Sequence, residues 1–262
     1  MSDESNARAS DLELPAANRL RSFTPARVAL GRTGVSLPTR ARLDFDRCHA
    51  LARDAVHTRL ETAALAKTLR ELTGLDVLCL HSAAPDRATY LQRPDLGRKL
   101  DEPSSRAISE SLAESVVDGE FDLALIVADG LSALAIERHA APMLQAFLPM
   151  IAGWRLAPLS VVEQGRVAIG DQIGAALGAQ IAVILIGERP GLSSPDSLGV
   201  YITWDPRPGR LDAERNCISN IRTGGSSYEQ AARQLSAILS EARRLRLTGI
   251  ALKPQAQSLL EG

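Results

Sequence analysis

Four histidines, three cysteines and nine aromatic residues are all that this 262-residue chain offers of the side chains most used in catalysis. Cys48, Cys79 and Cys217 are odd in number and far apart, with no C-x-x-C pair for zinc or redox work, so they read as free thiols in a reducing cytoplasm. His49, His57, His81 and His139 share no metal-ligand spacing, and His49 and His57, eight apart on a helical stretch, read as surface or packing residues. A serine nucleophile would want G-x-S-x-G after a strand, and Asp129-Gly130-Leu131-Ser132-Ala133 lacks glycines in the required places. Neither G-x-G-x-x-G nor G-x-x-x-x-G-K-[ST] is present to cradle a phosphate. No catalytic side chain and no metal ligand is nominated from this chain.

The remaining composition is that of a folded protein. Hydrophobic residues make up 45% and the net charge is −1, which suits one large or two small globular domains and excludes a disordered or fibrous chain. Thirty basic residues against 31 acidic ones leave no excess to hold a phosphate backbone, so a dedicated nucleic-acid binder is not expected. The longest uncharged apolar stretch, from Gln172 to Gly187, is shorter than a bilayer span and is interrupted by Gly174 and Gly178, so no membrane span is expected. The N-terminus carries acids and no apolar core of a secretory signal.

Three regions follow from the patterning. Residues 1–22 are polar and aperiodic and read as a flexible tail. Residues 23–70 are loop-rich, then helical: apolar residues recur at three- and four-residue spacings from Thr39 to Thr73, in one helix or two, stopping at Gly74. From about residue 71 to 262, short apolar runs alternate with helical stretches. The runs are 75–80, 121–127, 159–163, 179–186 and 200–204; the helices lie near 104–117, 131–153, 170–178 and 227–246. Continuous apolar strands alternating with amphipathic helices predict an α/β fold, a doubly wound Rossmann-like parallel sheet preceded by the helical N-terminal segment. Ser226 and Glu229 have capping-box spacing at the last helix, and Gly170, Gly174 and Gly178, four apart, predict a helix seated close to the sheet.

Ligands of such a sheet bind beyond the carboxyl ends of its strands. There the sequence places His81 and Ser82; Asp129 to Ser132; Gly187 to Gly191; and a further loop, Cys217 to Ile221 with Gly224 and Gly225. Five words in this part of the chain are distinctive: YLQRPDLGRKL (90–100), ADGLSA (128–133), GRVAIGDQIGAALGA (165–179), VILIGERPGL (183–192) and CISNIRTGG (217–225). Together, in order and with similar spacing over nearly everything after Phe23, they resemble the small subunit of ethanolamine ammonia-lyase.

The resemblance implies a hetero-oligomer with the ethanolamine ammonia-lyase large subunit, active only in that complex. It implies adenosylcobalamin (coenzyme B12) as cofactor and ethanolamine as substrate at the partner's site, converted to acetaldehyde and ammonia by a radical route. The cofactor is base-on in this family, in keeping with the absence of D-x-H-x-x-G around any of the four histidines. The family's cobalamin contacts from this subunit fall on Val167, Glu188 and Cys217. Glu188 follows its strand directly, where a carboxylate can accept hydrogen bonds from corrin amides or, alternatively, pair with Arg189 and shape the turn. Cys217 has no neighbouring base, so a soft packing or backbone contact is expected in place of covalent chemistry. Val167 alone reads as core. Arg93, Asp95, Arg98 and Lys99 suit internal pairs or docking on the large subunit better than the cofactor's tail, and the Asp129-Gly130 turn needs no function to explain it. The setting implied is cytoplasmic; some members use a longer leading segment to enter a bacterial microcompartment, and here about 22 residues precede Phe23. A stand-alone α/β small-molecule-binding protein and a purely structural assembly subunit are the alternatives that composition leaves open.

Overall fold

The computed structural model describes residues 20, 23, 24, 26–114 and 121–252. Apart from residues 20 and 23–24, the tail expected over 1–22 and the entry to the next segment lie outside the described residues up to 25, as does the end of the helix expected near 104–117. The chain divides into two compact units, 1–52 with 191–193, and 53–190 with 194–262.

In the first unit, Thr33 and Ser36 form an isolated antiparallel bridge before helix α1 (Thr39–His57), which begins there and ends in the second unit. Its first turns carry exposed ion pairs: Arg42 to Asp46 at 2.9 Å, and Asp44 to both Arg47 and Arg27. The hydrogen bond from Arg47 holds the Asp44 carboxyl below its usual range.

The second unit is built on a six-stranded sheet. Helix α2 (Thr62–Thr73) leads into β1 (Val77–His81) and stops at Gly74, whose φ of 68° is the left-handed cap that glycine accepts without strain. The helical stretch from Thr39 to Thr73 is thus two helices. Then follow α3 (Arg87–Gln92), α4 (Glu102–Glu114), β2 (Phe121–Ala128), α5 (Ala133–Phe147), β3 (Leu159–Glu163), α6 (Ile169–Ala176), β4 (Ala179–Gly187), β5 (Leu198–Trp204), β6 (Asn216–Ile221) and α7 (Tyr228–Leu245). The spatial order is β1-β3-β2-β4-β5-β6.

The first four strands are parallel, as expected, but β5 runs antiparallel to β4 and β6 antiparallel to β5, so the sheet is mixed and the all-parallel expectation is corrected. The reason lies in the connection. A parallel return needs a crossover of a dozen or more residues, usually helical, whereas β4 reaches β5 through residues 188–197 with no helix. The 217–221 segment, read as a loop, is the edge strand β6. Only Ile218 and Ile221 of it are buried, a pattern too sparse to announce a strand. The capping box of the last helix is formed by Ser227 and Gln230, one residue beyond the expected pair.

Helices cover both sheet faces. On one, α2, α5 and α7 pack on Leu123, Leu125, Val127, Leu159 and Val161; on the other, α4 and α6 pack on Ala124, Ile126, Ala128 and Val162. Neighbouring residues of β2 therefore point into opposite cores, which is why all eight of its residues are buried and its sequence shows no polar alternation. Helix α6 sits close to the sheet as the glycine spacing predicts: a Cβ on Gly174 would lie 2.9 Å from that of Ala182 and 2.7 Å from Pro206. Gly178 falls after the helix end. No helix among the described residues is long and apolar enough to cross a membrane.

Candidate functional site

Adjacent strands β2 and β3 send the chain to opposite faces, β2 into α5 and β3 into α6. Their carboxyl ends therefore part, and a crevice opens there. A cavity of about 340 Å³ occupies it, between Gly130 and Leu131 after β2, Arg166 and Val167 after β3, and Gly187 to Arg189 at the end of β4, with Tyr90 and Tyr201 as further walls.

Two glycines let these loops meet. Leu131 N donates to Gly187 O at 2.9 Å, and a Cβ on Gly187 would stand 2.1 Å from Ser132 O. A Cβ on Gly130, whose φ is 57°, would lie 2.2 Å from Gly187 O. The ADGLSA and GERPG words thus describe one backbone contact.

Beneath the crevice lies a buried charge cluster. Arg87 Nη1 is 3.3 Å from Asp129 Oδ2 and donates also to Gly130 O and Gln164 Oε1, while its Nε donates to Val56 O at 2.6 Å. Asp129 Oδ1 accepts from Gly165 N at 3.0 Å. Burial is the largest influence on this carboxyl and pushes its pKa up to about 6, against the opposing pull of Arg87 and the backbone N–H groups. The Asp129-Gly130 turn, which needed no function on sequence grounds, is the anchor that ties the loops after β2 and β3 together.

Tyr90 fills the adjoining space, fully buried, with its hydroxyl donating to Gly165 O at 3.0 Å. The Arg166 guanidinium stacks over its ring at 4.1 Å and Arg87 at 4.8 Å. Arg166 Nη2 donates to Tyr90 O, while its buried Nε has no hydrogen-bond partner among the described residues.

Of the residues expected to meet a ligand, Val167 and Glu188 line this one cavity, although 21 positions separate them. Glu188 accepts from Ser197 Oγ at 2.5 Å and from Asn220 N at 3.4 Å, and no ion pair joins it to Arg189 among the described residues. Cys217 does not line the cavity. It stands one strand outward, exposed, in register with Tyr201 and with its Sγ 3.1 Å from Ser219 Oγ. Burial raises the Tyr201 phenol, with Cys217 beside it as the next cause. Arg93 and Asp95 form the internal pair that was one of their expected uses, exposed at 2.8 Å.

Sequence reasoning missed Arg87, Tyr90, Arg166, Ser197 and Tyr201. Tyr90 and Arg166 stand inside two of the distinctive words; Arg87 and Ser197 stand in none. No group of three or more His, Cys, Asp or Glu side chains is placed to hold a metal among the described residues.

Fold and site together define an α/β protein whose sheet offers, at the parting of two strands, a shallow crevice with an apolar wall and a few fixed polar groups. Residues 15–253 match the model of the family "Ethanolamine ammonia-lyase light chain (EutC)". The chain is 57% identical over 246 residues to the ethanolamine ammonia-lyase small subunit of Pseudomonas aeruginosa (strain UCBPP-PA14), covering 93% of this chain and 89% of that one. Against the small subunit of Azotobacter vinelandii the identity is 58% over 241 residues, 91% and 88% of the two chains. Against that of Pseudomonas syringae pv. tomato it is 52% over 261 residues, 98% and 90%. The chain belongs to the ethanolamine ammonia-lyase light chain family.

Proposed function

We propose that this chain is the small subunit of an adenosylcobalamin-dependent ethanolamine ammonia-lyase, in which it closes one side of the cobalamin at the interface with a large subunit. The observation that carries this reading is the meeting of Val167 and Glu188 in one cavity at the carboxyl ends of β3 and β4, with Cys217 one strand away beside Tyr201. The four parallel strands with helices on both faces are then the doubly wound, Rossmann-like half of a cobalamin-contacting domain running from about residue 71.

The residues present suit such a group. A corrin edge carries amide arms that both donate and accept hydrogen bonds. The crevice offers a carboxylate acceptor in Glu188, donors in Arg166 and Tyr201, and an apolar wall in Leu131, Val167 and Ile186. The buried Arg166 Nε, without a hydrogen-bond partner among the described residues, marks polar capacity left unused there. The volume argues for a shared site: about 340 Å³ accommodates only part of a macrocycle with its arms, so the remaining walls belong to another chain.

Held there by Glu188, Val167 and the β5–β6 edge, adenosylcobalamin would supply the radical chemistry. This chain's residues bind, orient and exclude water. Glu188 accepts from the periphery, Val167 packs against it, and Cys217 with Tyr201 borders it from β6 and β5. The substrate ethanolamine and the groups that handle it lie on the large subunit in this reading.

The test is reconstitution. The isolated chain should show no conversion of ethanolamine to acetaldehyde and gain it only with the large subunit and adenosylcobalamin. Glu188→Ala should weaken cobalamin binding by the assembled complex. Activity of the isolated chain, or unchanged cobalamin affinity in the variant complex, would overturn the reading.

A further inference from the structure

We propose that Ser197 is a positioning residue for Glu188, fixing its carboxylate so that one oxygen is held by the protein and the other is presented to the cofactor as an acceptor. This rests on the reading of Glu188 as a cofactor contact.

Glu188 and Ser197 close the β4–β5 turn. Gly187 pairs with Leu198 in register, and just beyond them Glu188 N donates to Ser197 O at 2.9 Å. The same serine turns its hydroxyl on the Glu188 side chain and donates to Oε2 at 2.5 Å, and Asn220 N on β6 approaches that oxygen at 3.4 Å. Oε1 accepts no hydrogen bond among the described residues. It lies over Gly199, where an added Cβ would come within 2.9 Å of it and 3.1 Å of Glu188 Cγ. The carboxylate therefore has a seat that only glycine leaves open, a donor that engages one oxygen, and a second oxygen left for a ligand.

Ser197 can aim the carboxylate because its own place is fixed. Its side is buried, with 4% exposure, and the residues before it are tied to α5: Ser132 Oγ donates to Pro195 O at 2.8 Å and Arg138 Nη1 to Asp196 Oδ2 at 2.7 Å. A glutamate on a free rotor would lose side-chain entropy each time it bound. One held in advance has already lost it on folding, and binding is tighter by that difference.

The experiment is a double-mutant cycle on the assembled complex with the large subunit, read as the dissociation constant of cyanocobalamin by spectrophotometric titration, independent of turnover. Ser197→Ala in the wild-type background should weaken binding about tenfold, the size expected for a lost hydrogen bond to a charged group. In the Glu188→Ala background the same substitution should add nothing. Ser197→Thr, which keeps the hydroxyl, should restore wild-type affinity, and Gly199→Ala, which crowds the carboxylate from below, should repeat the loss without touching Ser197. An equal loss from Ser197→Ala in both backgrounds would show a structural role and overturn the proposal, as would wild-type affinity in Ser197→Ala while Glu188→Ala binds weakly. Unchanged affinity in Glu188→Ala itself would instead remove the contact on which the proposal rests.

Discussion

Arg87 and Asp129 are both buried, 7% and 1% exposed, and face one another at 3.3 Å beneath the crevice, yet the carboxylate is raised to about pH 6 rather than lowered. Desolvation outweighs the partner charge here, because Arg87 divides its donors among Asp129, Gly130, Gln164 and Val56 and leaves Nη2 without a partner among the described residues. The pair ties together the loops that form the crevice, and its cost is part of what holding them there requires.

That imbalance has a definite pH signature. A carboxyl whose folded pKa is raised from 3.8 to about 6 contributes stability that is fully present below 3.8 and lost as pH rises through 6, since the folded chain keeps the proton longer. The unfolding free energy of the wild type minus that of Asp129→Asn should therefore fall between pH 4 and 6 and be level above. Denaturant titrations across that range measure it. A difference that rises with pH would mean an ordinary ion pair with a lowered carboxyl.

Tyr90 tests the same scaffold from its apolar side. Tyr90→Phe keeps the ring between Arg166 and Arg87 but leaves the buried Gly165 carbonyl without its donor. A loss of about 1–3 kcal/mol in stability is expected. Tyr90→Leu should lose more, because the two guanidinium groups lose the π face as well. Urea midpoints of the two variants against wild type separate the hydroxyl from the ring.

How much of this was legible beforehand depended on the range of the interaction. The apolar runs 121–127 and 179–186 announce central strands because both faces of each are covered, and Glu188, named through the family resemblance, follows directly on the second of these strands. Strand β6 was illegible because an edge strand with two buried residues has no pattern to read. The direction of β5 was readable only from the missing helix before it. Arg87 and Ser197 gain their roles from partners 42 and 9 residues away, through contacts that no local spacing encodes. Asp129 looked like an ordinary turn residue for the same reason: its partners, Arg87 at the start of α3 and Gly165 in the loop after β3, are distant in sequence.

The glycines of the crevice separate steric from conformational need. Gly187→Ala would put a methyl 2.1 Å from Ser132 O and 2.5 Å from Asp129 O, both backbone atoms that can move only by prising β2 and β4 apart. The expected cost is about 3 kcal/mol or more, with loss of cobalamin binding by the complex. Gly178→Ala meets nothing within 4 Å and strains only its left-handed φ of 67°, for about 1 kcal/mol and unchanged binding. Equal destabilisation by the two substitutions, compared by thermal melts, would contradict the close approach of the loops.

On α5, His139 Nδ1 stands 2.7 Å from the Tyr228 hydroxyl, while its buried Nε2, 3.6 Å from Asp196 Oδ2, has no hydrogen-bond partner among the described residues. Burial lowers the imidazole below its ordinary pKa of 6.5, although the Asp196 charge pulls the other way. For a base lowered on folding, stability is present above the unfolded pKa and lost as pH falls through the folded one, because the unfolded chain takes up the proton first. The slope is opposite to that of Asp129, so the two are separated by variants rather than by the wild-type curve alone. His139→Gln should abolish its part of the acid-side loss while keeping a polar contact to Tyr228. Asp196→Asn removes the attraction that opposes desolvation and should lower the His139 pKa further, which the histidine ring protons report directly in an NMR titration. Asp196 also accepts from Arg138, and the variant turns that charge-assisted contact into a neutral one, while Ser132 still holds Pro195 O just before Ser197. A His139 pKa that rises in Asp196→Asn would mean that the carboxylate does not act on this ring.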